Sequence, residues 1–127
     1  MKIIFNYKFK NWNTIINESR SNYYKANNSK KQEMNYVRME LIAQKIKPIT
    51  EYPVKINCLW GCKTRNSDLD NKCIKNILDA LQLFKIIKND NMACIQEINH
   101  KYVKSDHEYL EIVVDNIMVD KKIKLMV

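Results

Sequence analysis

Between residues 54 and 84 the hydrophobic period changes from two to about 3.6, which commits the chain to mixed β and α structure. Val54, Ile56, Cys58 and Trp60 alternate with Lys55, Asn57 and Leu59, the pattern of a strand with one core face. Ile74, Ile77, Leu78, Leu81 and Phe84 then recur at helical spacing and predict a helix with one buried stripe.

Around this unit the signals continue. Residues 2–9 are β-branched and aromatic and predict a first strand. Asn11-Trp12-Asn13-Thr14 supplies turn and N-cap chemistry, and the chain then reads as helical to about Lys47. The expected break is Asn27-Asn28-Ser29, with Ser29 capping the second piece. There Met39, Ile42, Ala43 and Ile46 form the apolar stripe, while Lys31, Arg38 and Lys45 recur on another face. Pro48 is expected to end this helix. After a basic turn at Lys63–Asn66 and the helix of residues 74–84, Lys88-Asn89-Asp90-Asn91 is a turn. Residues 93–103 and 108–115 predict two strands joined at Ser105-Asp106 as an antiparallel hairpin, and 116–127 a loose tail. The order β-α-(α)-β-α-β-β describes one α/β (α+β) domain over residues 1–127, with helices packed on a mixed sheet.

Charge narrows the function. The net charge is +8, and residues 1–50 carry ten basic against three acidic side chains (+7). Residues 51–127 carry twelve against eleven (+1). The front half attracts polyanions and the back half holds the acids. Cys58, Cys62, Cys73 and Cys94 fall mostly among apolar residues and read as small hydrophobes in a reducing, intracellular setting. Their spacing, with His100 and His107, is not that of a zinc site. No apolar run is long enough to span a membrane, and a single glycine excludes Gly-rich phosphate loops.

The acids that carry chemistry are Asp68 and Asp70, just ahead of the apolar helix, and Asp90 after it. In extended backbone, side chains at i and i+2 point the same way, so Asp68 and Asp70 crowd one another. A hard divalent cation such as Mg²⁺ relieves that repulsion, and Asp90 joins them if the chain folds back after the helix. The plainer alternative is structural: Asp68 or Asp70 caps the helix and Asp90 is a turn residue. Lys75 and Lys72 are the cations that would stabilise phosphate charge. Lys75 stands seven residues after Asp68 and so on its face if the stretch is helical; its alternative partner is Asp79 at i+4. Lys8, Lys10, Arg20, Lys25, Lys30, Lys31, Lys63, Arg65 and Lys72 are the candidate DNA contacts. Tyr23 and Tyr24 lie among them and would stack on unpaired bases, although tyrosines at such spacing more often pack a core.

Together, Asp68-Leu69-Asp70-Asn71, Ile77-Leu78-Asp79-Ala80-Leu81 and Ile86-Ile87-Lys88-Asn89-Asp90-Asn91 resemble the RusA family of Holliday junction resolvases. The family carries an Asp-x-Asp-Asn motif, a helix with an apolar-Asp-Ala/Gly-Leu segment, and a downstream Asp in an acidic turn. Residues 12–23 are similar to the front of phage-borne members. The resemblance implies a homodimeric endonuclease of DNA recombination and repair, dependent on Mg²⁺ with Mn²⁺ as a substitute. It would resolve four-way DNA junctions by paired nicks, in the cytoplasm of a bacterium or phage-infected host. By position, Asp68, Asp70 and Asp90 take the metal-binding, catalytic places. The family lysine, six residues after the first motif Asp, corresponds to Ile74, with Lys75 one residue on; counted back from Leu78-Asp79-Ala80-Leu81, Lys75 keeps the family spacing. The downstream turn reads Asn-Asp where many members have Asp-Asp. The same fold without catalysis would be a branched-DNA-binding module, and the same site acting on forks and flaps would be a debranching nuclease.

Overall fold

A strand apolar on one face and flanked on both edges becomes the axis of a sheet, and β2 (Val54–Cys62) takes that place. The computed structural model of the chain describes residues 1–65 and 68–118. Among these the other elements are β1 (Lys2–Phe5), α1 (Trp12–Ser21), α2 (Tyr23–Ala43), α3 (Lys75–Leu83), β3 (Ile95–Lys104) and β4 (Tyr109–Asn116). A 3₁₀ turn, Leu69–Asn71, stands between β2 and α3. The sheet order is β1-β4-β2-β3; β4 is antiparallel to both neighbours and β2 is parallel to β3. The fold is α+β with a four-stranded mixed sheet among the described residues. Residues 66 and 67 of the expected turn region and 119–127 of the expected tail lie outside them.

The core lies on one face of this sheet. Ile3 and Phe5 of β1, Ile56, Cys58 and Trp60 of β2, and Leu110, Ile112 and Val114 of β4 are buried with Val37 and Leu41 of α2 and Ile77, Ala80 and Leu81 of α3. Burying a side chain of this size stabilises the fold by about 1.5–3 kcal/mol. The other face carries polar pairs, among them Lys2–Glu111 at 2.8 Å and Asn99–Asn57 at 2.9 Å. Gly61 faces Tyr109 across the β2–β4 ladder, and a Cβ at residue 61 would stand 2.0 Å from the tyrosine ring. The only glycine is therefore placed by close packing.

The expected hairpin of residues 93–103 and 108–115 does not form: β2 lies between β3 and β4. The reason is in β3 itself. Ile95-Gln-Glu-Ile-Asn-His-Lys-Tyr-Val-Lys is largely exposed, so it belongs at an edge, where charged side chains also discourage further pairing. The α3 crossover lets β3 join β2 in parallel. Residues 105–108 then pass the end of β2, held by Ser105 N–H to Cys62 O at 3.0 Å. The first strand stops at Phe5 rather than residue 9. At this opposite edge Gln44 completes the pairing: Ile4 N–H donates to Gln44 Oε1 at 3.0 Å, and Gln44 Nε2 donates to Ile4 O at 2.7 Å.

The helical region breaks at Asn22, not at Asn27-Asn28-Ser29. Asn22 is extended (φ −158°), and its side chain accepts the Lys25 N–H at 3.1 Å, capping α2. Ser29 is instead buried inside α2, where its hydroxyl accepts from Lys10 Nζ at 2.7 Å. Asn11 caps α1 through the Thr14 N–H at 2.9 Å. The expected stripe Met39-Ile42-Ala43-Ile46 is also displaced. Met39 and Ile42 are each 66% exposed, and the buried positions of α2 are Ser29, Glu33, Val37 and Leu41. Two of those four are polar, which hid the true face from a hydrophobic count. The helix ends at Ala43, before Pro48. Lys45 takes a left-handed conformation (φ 54°) while Ile46 N–H returns to Leu41 O, and Lys85 (φ 61°) does the same after α3.

Candidate functional site

The stretch from Asp68 to Ile74 leads into α3 and carries the acidic motif. Asp68 is extended (φ −76°, ψ 132°), but Asp70 lies within the 3₁₀ turn, so the two do not alternate as on a strand. The turn is held by Asn71, whose side chain accepts the Asn13 N–H at 3.1 Å at the start of α1. Neither aspartate caps a helix. Asp68 makes no side-chain cap bond, and the N-cap of α3 is Ile74. Both are exposed, and among the described residues neither carboxylate has a hydrogen-bond or ion-pair partner. The structural explanation of this pair as caps is therefore removed.

From Asn71 the chain runs directly into a cleft of about 250 Å³ lined by Trp12, Lys72, Ile74, Lys75, Leu78, Asp90, Ile98 and His100. It brings together three of the residues singled out by sequence: Lys72, Lys75 and Asp90. Lys75 is the first residue of α3, so the argument that it shares a helical face with Asp68 does not hold. Its expected partner is taken. Asp79 pairs with Lys30 at 3.0 Å, which leaves Lys75 at the mouth of the cleft.

Among the described residues no three His, Cys, Asp or Glu side chains are gathered closely enough to hold an ion, so Asp68, Asp70 and Asp90 do not converge as expected. The arrangement does not fit a closed protein cage. Its donor chemistry suits Mg²⁺ in another way, since that ion is commonly held by one or two carboxylates with water and phosphate completing the shell.

The wall of the cleft also contains His100, which its neighbours in sequence do not single out. Trp60 Nε1–H donates to His100 Nδ1 at 2.9 Å, with the two ring planes 26° from parallel. Lys72 Nζ stands 5.4 Å from the Trp60 ring centroid, within cation–π range. Burial holds the His100 pKa below its ordinary value, so the ring is neutral near pH 7. Trp60 and His100 occupy partnered strands, β2 and β3, a neighbourhood that no spacing within the sequence reveals. The buried Tyr102 hydroxyl, on the same face of β3, has no hydrogen-bond partner among the described residues.

The remaining cations divide. Lys8, Arg20, Lys25, Lys31, Lys63 and Arg65 are exposed. Lys10 is not available for DNA: it is partly buried, bonds the Glu18 carboxylate and the Ser29 hydroxyl, and through that contact depresses the Glu18 pKa. Lys30 is tied to Asp79. The tyrosines depart from the core expectation, since Tyr23 and Tyr24 are 71% and 79% exposed and meet edge to face at 5.9 Å. Among the described residues no helix is long and apolar enough to cross a membrane. All four cysteines are free and buried, and burial pushes the Cys58 thiol up to about 12.

No protein-family model matches the chain, and no match was found among curated proteins.

Proposed function

We propose that this chain is a Mg²⁺-dependent endonuclease of the RusA type that cuts branched DNA, four-way junctions foremost, as a homodimer. The observation that carries the reading is the cleft, where Lys72, Lys75 and Asp90 line one space and Lys72 directly follows the exposed Asp68–Asn71 stretch in the chain. One or two of the carboxylates Asp68, Asp70 and Asp90 are the proposed metal ligands, with water and DNA phosphate completing the shell. Bound Mg²⁺ would activate water and offset charge on the phosphoryl oxygens. Lys75 and Lys72 stabilise negative charge at the same phosphate. Arg20, Lys25 and Lys31 give salt-dependent backbone attraction, and Tyr23 and Tyr24 offer faces on which unpaired bases at a branch point stack.

A second reading is favoured by one observation: among the described residues no three carboxylates are gathered into one group. It is a non-catalytic module that binds branched DNA. Incubating the protein with labelled four-way junctions, forks and duplex, with and without Mg²⁺ or Mn²⁺, separates the two. Symmetrical paired nicks on the junction support resolution, and equal cutting of forks makes debranching the better name. Tight junction binding with no cleavage at any metal concentration leaves the binding module.

A further inference from the structure

We propose that His100 is a ligand-binding residue of the cleft, donating its Nε2–H to a phosphate oxygen brought in by Lys72 and Lys75. The argument begins with the partner of its other nitrogen. An indole N–H can only donate, so the 2.9 Å contact from Trp60 fixes His100 Nδ1 as an acceptor. A neutral imidazole with an unprotonated Nδ1 carries its proton on Nε2, and the tautomer is set by the protein before any ligand arrives.

The surroundings of that donor indicate what it binds. His100 lines the cleft, and no residue among those described accepts from its Nε2. Two ammonium groups, Lys72 and Lys75, share the lining with one carboxylate, Asp90. Lys72 stands over the face of the same indole that anchors the histidine, so one cation and one neutral donor are both organised around Trp60. Two cations and an N–H donor in a small cleft match an anion with several acceptor oxygens, which a phosphate is. The source of that phosphate is the one element resting on the nuclease reading: in DNA it is the backbone, whereas free phosphate presents the same oxygens.

Long-range ¹H–¹⁵N spectra of the 127-residue chain, recorded alone, with inorganic phosphate and with a four-way DNA junction, provide the test. Alone, His100 should show a protonated Nε2 and an unprotonated Nδ1. Either ligand should shift the Nε2 resonances while leaving those of His107, which pairs with Asp106 beyond the end of β3, in place. His100→Ala should weaken junction binding about tenfold, whereas His100→Gln, which keeps an N–H donor near the same position, should stay within about threefold. Junction binding that leaves the His100 resonances unmoved and is unchanged in His100→Ala overturns the inference and spares the DNA reading. Phosphate that shifts His100 in a protein unable to bind any DNA does the reverse. No response of His100 to either ligand also overturns the inference, and this spectral result does not depend on the variants folding.

Discussion

Glu33, in the middle of α2, and Asn76, at the start of α3, meet at 2.7 Å through the asparagine amide and one carboxylate oxygen. The other oxygen accepts the Lys10 N–H at 2.8 Å, in the segment between β1 and α1. A carboxylate that is 2% exposed thus fixes three parts of the chain around the helix that forms one wall of the cleft. Buried charges persist when hydrogen-bonded in this way and become costly when a partner is lost.

Glu33→Ala leaves two partly buried donors without their acceptor and should destabilise the fold by about 1–3 kcal/mol in urea denaturation. Asn76→Ala breaks one of the two bonds and should cost less. A Glu33→Ala protein within about 0.5 kcal/mol of the parent would show that water replaces the carboxylate.

The lowered pKa of His100 makes stability depend on pH. A folded-state pKa below the ordinary 6.5 means that the unfolded chain binds the proton more readily. Stability from this group is therefore complete above 6.5 and declines as pH falls below it, levelling off under the folded-state value. Glu18, held below its ordinary 4.5 chiefly by Lys10, contributes stability above that value and loses it as pH falls through its own lower folded-state pKa. Thermal melts of the parent and His100→Gln between pH 7.5 and 5 should differ in slope, the variant being flatter. Parallel slopes would contradict the assignment.

Tyr23 and Tyr24 are too exposed to support the core, so replacing both by Ala should change stability by less than about 0.5 kcal/mol. If they stack on unpaired bases, the double variant should lose about 1–3 kcal/mol of binding per stacked base on a four-way junction. Uninterrupted duplex should be bound nearly as well as before. Fluorescence anisotropy with both DNAs measures the difference directly, and an equal loss on both would assign the tyrosines to general contact.

Gly61→Ala pushes a methyl group into the Tyr109 ring and should cost about 1–3 kcal/mol. Tyr109→Ala removes the obstacle, so the double variant should lose less than the sum of the two single losses. Additive losses would mean that the ring turns aside freely.

Local patterning made much of this molecule legible. The alternation of Val54 to Trp60 and the spacing of Ile74 to Phe84 identify β2 and α3 because each buries a single apolar face. Reading failed where a face is mixed or a partner is distant. In α2 the inward positions include Ser29 and Glu33, held by Lys10 and Asn76, so an outward stripe of Met39 and Ile42 looked like core. The β3–β4 hairpin was inferred from adjacency in sequence, whereas the polarity of β3 sends it to the far side of β2. Within the site, Lys72, Lys75 and Asp90 were legible from their places around α3. His100 was not, because its significance arises only when β2 brings Trp60 beside it.

The central claim is that the exposed acids of the Asp68–Asp70 turn serve phosphodiester cleavage, and Asp70→Asn tests it most directly. Cleavage of a labelled four-way junction is measured for both proteins in Mg²⁺ at concentrations that bind the junction fully. The account predicts paired nicks from the parent and none from Asp70→Asn, with junction affinity kept or raised because a negative charge near phosphate is removed. Equal cleavage by the two proteins, or no cleavage by the parent in Mg²⁺ or Mn²⁺ despite full binding, would contradict it.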